Sequence, residues 1–187
     1  MDHAAPGQRS GHDQQDRGAD ERDHPDACAK IQLGVDVTLA VEPFESDDAQ
    51  RLVRALDEHL SSLYLPEQRF GPNLKPAQVA PGLGTFVVAR GDGNAIGCGA
   101  LRRLDATTGE VKRMYVAPDV RGRGVGRQIL DRIESEAATL GINRLVLETG
   151  IHQAEAIALY TRAGFSQITC WGEYSGVSTS VCFEKRL

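Results

Sequence analysis

The chain has 187 residues, of which 41% are hydrophobic and 25% charged, and its formal net charge is −5. This length and balance are typical of one globular domain, and a mildly acidic chain is a poor general binder of nucleic acids. No run approaches the roughly 20 apolar residues of a membrane span, and the N-terminus lacks the apolar core of a secretory signal. We therefore expect a cytoplasmic protein that binds neither membrane nor nucleic acid.

The first 33 residues are rich in Asp, Gly, His, Gln and Arg. They offer too little apolar surface to offset the entropy of ordering, which predicts a disordered tail over 1–33 and a folded domain over 34–187. His3, His12 and His24 lie in this tail. Scattered histidines do not converge on one point, so we expect no metal site.

Four cysteines are widely spaced along the chain: Cys28, Cys98, Cys170 and Cys182. This spacing contains no C-x-x-C pair of the kind used in metal or redox sites, and it is not a dense disulfide framework. We therefore expect reduced thiols, most of them packed in strands.

The first predicted elements are a strand, a helix and a long loop. Apolar alternation over 35–41 predicts the strand, and Ser46 with the two aspartates after it predicts the N-cap of a helix that runs to Leu63. Four prolines and three glycines over 66–84 predict the loop, with a short helix around 75–79. This loop is either a substrate lid or an ordinary connection.

The middle of the chain predicts three consecutive antiparallel strands, over 85–90, 95–104 and 110–117, with turns rich in Gly, Asp and Asn between them. A glycine-rich stretch then opens a helix that ends at Gly141. After it we expect further elements in this order: a strand at 145–147, a helix at 154–163, a strand at 165–170, a turn at 171–176 and a closing strand at 177–185.

The glycine-rich stretch reads Arg-Gly-Arg-Gly-Val-Gly over 121–126. Glycines let backbone N–H groups turn toward a ligand, and a helix N-terminus adds unpaired donors, so phosphate is the expected guest. The Walker pattern requires Lys-Ser/Thr after its last glycine, where this chain has Arg127-Gln128, and the dinucleotide G-x-G-x-x-G spacing is absent. Neither common nucleotide fold fits, although an unusual nucleotide-binding loop remains an alternative.

Four segments follow one another over roughly residues 35–187: EVKRMYVAP at 110–118, RGRGVG at 121–126, ETG at 148–150 and AIALYTRAGF at 156–165. Together they resemble the successive motifs of the GNAT superfamily of N-acetyltransferases. The resemblance implies a three-layer α/β fold of the α+β kind, whose central, mostly antiparallel mixed sheet is splayed open with helices on both faces. It also implies acetyl-CoA in the opening and direct attack by an amine in a ternary complex, without an acyl-enzyme and without a metal.

The resemblance further implies which residues hold acetyl-CoA. The strand before the glycine loop would bind the pantetheine arm through its backbone, and the loop N–H groups would bind the pyrophosphate. Arginine side chains in the loop would meet phosphate or remain solvated, and Gln153 replaces an Asn that family members often have. The expected cofactor residues are Met114, Tyr115, Val116, Arg121, Gly122, Arg123, Gly124, Val125, Gly126, Arg127 and Gln153.

The resemblance places Tyr160 against the thioester sulfur, where a phenol fits as general acid. Glu110 is the expected general base, with Glu148 and a water molecule as rivals, and His152 is a weaker candidate. Alternation puts residues 110, 112, 114 and 116 on one face of their strand. Cys98 has no evident histidine partner, which disfavours a cysteine nucleophile.

The acceptor amine is open at this stage, and both small-molecule and protein amines fit. We expect acceptor specificity to lie in the loops at 64–84 and 171–176. Family members frequently dimerise, so the resemblance allows a homodimer. A catalytically silent acyl-CoA-binding or regulatory module is the alternative to an enzyme.

Overall fold

The computed structural model of the chain describes residues 36–68 and 74–187, and residues 34–187 form one compact unit. The predictions made for the tail at 1–33, for its three histidines and for Cys28 lie outside the described residues. So does the part of the predicted loop at 69–73.

The described part of the chain contains seven strands and three α-helices. In chain order they are β1 Val37–Val41, α1 Asp47–Leu63, β2 Gly84–Gly91, β3 Asn94–Arg103, β4 Thr108–Val116, α2 Val125–Thr139, β5 Arg144–Gly150, α3 Ala154–Arg162, β6 Ser166–Ile168 and β7 Ser180–Arg186. Each corresponds to a predicted element, and the short helix expected around 75–79 is the 3₁₀ turn Pro76–Val79. Within these described ranges, no helix is long and apolar enough to cross a bilayer.

The strands form one sheet in the order β1-β2-β3-β4-β5-β7-β6. Every neighbouring pair is antiparallel except β4 and β5, which run parallel. This confirms the mixed, mostly antiparallel sheet. The β4–β5 pairing extends only from Thr108↔Arg144 to Val111↔Leu147, although both strands continue beyond it. The sheet therefore opens at its centre.

Helices cover both faces of the sheet. Helix α1 begins at the predicted cap, where Ser46 Oγ accepts a hydrogen bond from the Ala49 N–H at 3.3 Å. Its buried residues pack against Phe86, Val88 and other residues on one face of β2 and β3. Helices α2 and α3 pack on the opposite face, where α2 buries Ile129 and Ile133 against the alternate residues of the same strands. Alternation along β2 and β3 therefore divides the core into two layers.

A β-bulge in β4 changes which of its residues share a face. Cys98 pairs with Tyr115 but Ala100 pairs with Lys112, so β4 carries one extra residue, and Arg113 there adopts a φ of 57°. Lys112 therefore shares the α1 face with its partner Ala100, whereas Met114 and Val116 pack on the α2 face. The prediction that residues 110, 112, 114 and 116 share one face is wrong, because simple alternation contains no signal for a bulge.

The expectation of reduced thiols is wrong for two cysteines, because Cys170 and Cys182 form a disulfide with a Cα–Cα distance of 5.1 Å. Strand β6 pairs with β7 so that Ile168 lies opposite Cys182, and the chain just after β6 is therefore within disulfide range. A separation of 12 residues in sequence does not reveal this pairing. Cys98 is a buried free thiol in β3, as expected.

Replacing Ile133 by Ala tests the core between α2 and the sheet. Ile133 is fully buried, so the substitution leaves a cavity and should lower the free energy of unfolding by about 3 kcal/mol. The exposed Ser135 lies on the same helix, and S135A should change it by less than about 0.5 kcal/mol. Urea denaturation of both variants measures the difference, and equal stabilities would contradict the packing described.

Candidate functional site

The candidate site begins where β4 and β5 separate. Beyond Val111, β4 keeps its antiparallel pairing with β3, but none of the described strands pairs with its other edge. An unpaired strand edge presents backbone N–H and C=O groups to an extended ligand. The edge runs from Lys112, at the start of the opening, to Val116, next to the glycine loop.

The glycine loop forms the N-terminus of α2. Gly122 and Gly124 have φ values of 75° and 83°, and Gly124 is the N-cap without any side-chain cap. The first helical hydrogen bond is donated by the Gln128 N–H to the Gly124 carbonyl. Within the described chain, the backbone N–H groups of 122–127 therefore donate to no protein group. Together with the helix dipole, these donors make an anion site.

The three arginines of this region have different surroundings. Arg121 donates from Nε to the Val116 carbonyl at 3.0 Å, which turns its side chain back toward the end of β4. Arg127 pairs with Asp131 at 2.8 Å on the helix surface. Arg123 is exposed and forms no ion pair with another described residue. Arg123 is therefore the arginine most available to a phosphate.

Close packing brings α3 next to the loop. A Cβ atom at Gly126 would lie 3.3 Å from Leu159 Cδ2, so glycine permits the close approach of α2 and α3. Tyr160 follows on α3, and its ring packs against Phe165 and Phe183. Its side chain is buried, and its hydroxyl donates to no other described side chain. Burial, with the negative charge of Glu148, raises the pKa of Tyr160 well above its usual range, so the phenol stays protonated.

A cleft of about 70 Å³ opens on the α1 side of the sheet. Its lining combines apolar, neutral polar and acidic side chains from α1, β5 and the segments next to them: Leu60, Tyr64, Gln68, Glu148, Gly150, Gln153 and Thr179. Glu148 is the one charged residue of this lining. It lies one residue beyond the last β4–β5 pair, and Ser180 Oγ donates to its Oε1 at 2.6 Å. Burial raises the pKa of Glu148 above its usual value, despite that hydrogen bond.

Glu110 has a different environment from Glu148. It pairs with Val146 inside the closed part of the sheet, and only 1% of its surface is exposed. Arg102 Nε donates to Glu110 Oε2, while the Tyr174 hydroxyl donates to Oε1 at 2.8 Å. Lys112 Nζ donates to the same oxygen at 3.3 Å and to the Tyr174 hydroxyl at 2.8 Å. Both carboxylate oxygens of Glu110 are therefore occupied by protein donors.

Burial also shifts the pKa values of two partners of Glu110, Lys112 and Tyr174. It lowers the pKa of Lys112, although the carboxylate of Glu110 acts in the opposite direction. Burial and then the charge of Glu110 raise the pKa of Tyr174 far above its usual value. The buried network is therefore held by charge-assisted hydrogen bonds whose loss would leave unpaired charges behind.

The sequence prediction missed Tyr64, which ties α1 to the end of β5. Its hydroxyl accepts a hydrogen bond from the His152 N–H at 2.9 Å, and the two rings lie 5.3 Å apart. A Cβ atom at Gly150 would clash with the Tyr64 hydroxyl, which explains the glycine in the ETG segment. An aromatic residue at a helix end carries no sequence signal for this contact.

Glu148 and Gln153 thus line the same cleft, Tyr160 packs in the core beneath α3, where the charge of Glu148 acts on it, and Glu110 stays inside the sheet. His152 is exposed and packs against Tyr64. In the ranges 36–68 and 74–187, no group of three or more His, Cys, Asp or Glu side chains is placed to hold a metal.

A seven-stranded mixed sheet that opens at its centre, with unpaired N–H groups at a helix N-terminus next to the opening, is an arrangement shared with acyl-CoA-dependent transferases. Residues 48–165 match the profile of the Acetyltransferase (GNAT) family. The chain therefore belongs to the GNAT family, an acetyltransferase family that uses acetyl-CoA. This membership supports an enzyme over the silent acyl-CoA-binding module and over an unusual nucleotide-binding domain.

Individual relatives agree with this assignment. The IAA acetyltransferase of Azospirillum brasilense is 40% identical over 152 residues, which cover 81% of this chain and 98% of that protein. A Klebsiella pneumoniae protein described as an acyl-CoA N-acyltransferase has a TM-score of 0.70 and 32% identity, over 82% of this chain and 99% of that one. A GNAT family acetyltransferase of Elizabethkingia anophelis with acetyl-CoA bound shares the fold, with a TM-score of 0.57 and 19% identity over 81% of this chain and 98% of that one.

Replacing Gly124 by Glu tests the anion site. The new carboxylate would stand among the free N–H groups and repel a pyrophosphate, so the Kd for acetyl-CoA should rise roughly tenfold or more. Gly141 provides a matched control because its φ of 74° is similarly strained for a side chain and a Cβ at either glycine meets open space. Calorimetric titration should show nearly unchanged affinity for G141E. Equal affinities of the two variants would contradict phosphate binding at this loop.

Proposed function

We propose that the protein transfers the acetyl group of acetyl-CoA to an amine that attacks directly within a ternary complex. The observation that carries this proposal is the opening between β4 and β5, where the unpaired edge of β4 leads to the unpaired N–H groups of the glycine loop and Glu148 lies just past the last β4–β5 pair. The donor occupies the edge and the loop, and the acceptor enters from the α1 side.

In this proposal acetyl-CoA binds in the opening in a single orientation. The backbone N–H groups of 122–127 bind the pyrophosphate, with Arg123 as the arginine best placed to add charge-assisted bonds. The pantetheine arm then follows the free edge of β4 along Met114, Tyr115 and Val116, as an added strand would. The Gln153 amide, at the N-cap of α3, supplies a further polar contact.

The chemistry needs a neutral amine and a good leaving group. Nitrogen attacks the thioester carbon, and the C–S bond breaks as the tetrahedral intermediate collapses. The departing thiolate takes a proton from the Tyr160 hydroxyl, which its environment keeps protonated, and the proton that nitrogen loses as the amide forms restores the phenol. Deprotonation of the attacking ammonium requires a base that faces the cleft.

Glu148 is the base that the geometry supports better. Its carboxylate lines the cleft, and its raised pKa brings it closer to the pKa of the group it must deprotonate. The role of Glu110 as base remains a prediction from the sequence. Its two oxygens already accept hydrogen bonds from Arg102, Lys112 and Tyr174, which leaves no oxygen free to take a proton from an amine. We assign Glu110 instead to holding Lys112 and Tyr174 beside the opening.

A cysteine nucleophile is not part of the proposed mechanism. Cys98 is completely buried on the α1 side of β3, and its Sγ donates to the Arg113 carbonyl. Burial raises the pKa of the Cys98 thiol to about 12, so it stays protonated at neutral pH. Direct attack by the amine therefore remains the simpler route.

The lining of the cleft favours a small amine that is cationic before it reacts. Glu148 attracts an ammonium group, while Leu60 and the Tyr64 ring contact its apolar body. Because the relative from Azospirillum is an IAA acetyltransferase, IAA belongs in the panel of acceptors to be tested beside simple amines.

Replacing Tyr160 by Phe should lower kcat about 100-fold without changing the Kd for acetyl-CoA, because only the proton donor is lost. Thr161 is a matched control because it is the next residue of α3 and is exposed, so T161A should leave kcat nearly unchanged. Thiol release from acetyl-CoA measures both variants. Unchanged turnover in Y160F would remove Tyr160 from the role of acid.

The pH dependence of kcat separates the two glutamates. A base acts in its deprotonated form, so kcat should fall as the pH falls through the pKa of the base. If Glu148 is the base, this acidic limb of the pH profile lies above the usual pKa range of a glutamate. E148Q should abolish the limb and lower kcat about 100-fold, whereas E110Q should retain the limb. Loss of the limb in E110Q alone would assign the base to Glu110.

A further inference from the structure

We propose that the Cys170–Cys182 disulfide is a reversible redox modification site that controls the acceptor side of the cleft. The proposal rests on the proposed function for its catalytic consequence, but its structural part is independent of that function.

One end of the bridge lies beside the proposed base. In the β5–β7 register Cys182 is directly opposite Glu148, and the side chains of directly opposed residues project from the same face of a sheet. Ser180, which donates to Glu148, lies two residues earlier on β7 and therefore on the same face. The disulfide thus begins at the residue next to Glu148 on the same face of the sheet.

The other end of the bridge holds the turn that carries Tyr174. Cys170 is followed directly by Trp171, whose ring lies 5.5 Å from the Tyr174 ring in an edge-to-face arrangement. The Tyr174 hydroxyl in turn contacts Lys112 and Glu110. Contacts therefore link the bridge to the turn, and the turn to the buried charge network.

The turn is attached to the sheet mainly through side chains. Its backbone hydrogen bonds are local: the N–H groups of Tyr174, Ser175 and Val177 donate to carbonyls three residues earlier in the chain. Among the described residues, one backbone bond joins 171–177 to another element: the Ser180 N–H at the start of β7 donates to the Val177 carbonyl. The disulfide, the buried Tyr174 side chain and the ion pair of Glu173 with Arg102 at 3.6 Å therefore attach the rest of the turn to the sheet.

The bridge can be opened and closed by thiol–disulfide exchange. Cys170 is half-buried, whereas Cys182 is fully buried, so the thiolate of a dithiol reductant reaches the Cys170 sulfur. That attack forms a mixed disulfide with Cys170, and Cys182 leaves as a thiolate that takes up a proton. The second thiol of the reductant then closes a disulfide within the reductant and releases Cys170. The protein gains two thiols, and the reductant is oxidised by the same two electrons.

Reduction should affect the two substrates unequally. It removes one attachment of the turn that positions Tyr174 and frees Cys182 beside Glu148, so the KM for the acceptor should rise roughly tenfold. The anion site at 122–127 and the free edge of β4 contain no residue of the segment 170–182. The Kd for acetyl-CoA should therefore change by less than about twofold.

Trp171 reports the state of the bridge because it is the single tryptophan of the chain. In a C28A/C98A variant the bridge contains the remaining two cysteines, so thiol titration in denaturant should count none before treatment with dithiothreitol and two after it. Trp171 emission and its quenching by acrylamide should both increase on reduction, and reoxidation should reverse them. A C170A/C182A variant serves as the permanently open form.

The experiment compares oxidised and reduced protein, with putrescine and n-butylamine as probe acceptors, under conditions where circular dichroism shows that both forms are folded. A raised acceptor KM with unchanged acetyl-CoA affinity supports the proposal. Unchanged acceptor KM and unchanged Trp171 quenching would overturn it, as would an equal loss of acetyl-CoA binding. If neither form acetylates an amine, the proposed function fails, and Trp171 quenching decides the redox proposal: an increase supports it and no change overturns it.

Discussion

The incomplete pairing of β4 with β5 is the constraint on which the rest of the structure depends. These are the two parallel neighbours in an otherwise antiparallel sheet, and their shared hydrogen bonds end at Val111 and Leu147. The bulge at Arg113 alters the course of β4 just beyond that point, while β5 continues to Gly150. A free strand edge inside the molecule is normally a liability, and we propose that an extended cofactor occupies it here.

Two carboxylates on the same face of the sheet differ in their position relative to this opening. Glu110 lies within the paired part of β4 and is neutralised by Arg102 and Lys112. Glu148 lies just past the last pair, faces the cleft and has its pKa raised by burial. A buried, fully bonded carboxylate stabilises its surroundings, whereas a partly desolvated one at a cleft is suited to proton transfer. Their places in the strand register thus support the different roles that we propose, a supporting one for Glu110 and a catalytic one for Glu148.

Much of the fold was predictable from sequence because its signals are local. The cap at Ser46, the turn at Gly91–Asn94 and the glycine loop before α2 each specify one element, and all of them are confirmed. What escaped prediction depends on contacts distant in sequence. The bulge in β4 changes the face of Met114 without any change in composition, and the Cys170–Cys182 bridge requires the β6–β7 pairing. Tyr64 and Tyr174 reach the site in the same way, through contacts with β5 and β4 that no spacing rule contains.

The central claim is that acetyl-CoA lies along the free edge of β4 with its pyrophosphate on the loop before α2. Hydrogen–deuterium exchange with and without acetyl-CoA tests it most directly, because the backbone amides of both segments are the proposed donors. The account predicts slower exchange at 112–116 and 122–127 on binding, and no change along β1 at the far edge of the sheet. Protection elsewhere, with exchange at 112–116 and 122–127 unaltered, would contradict it.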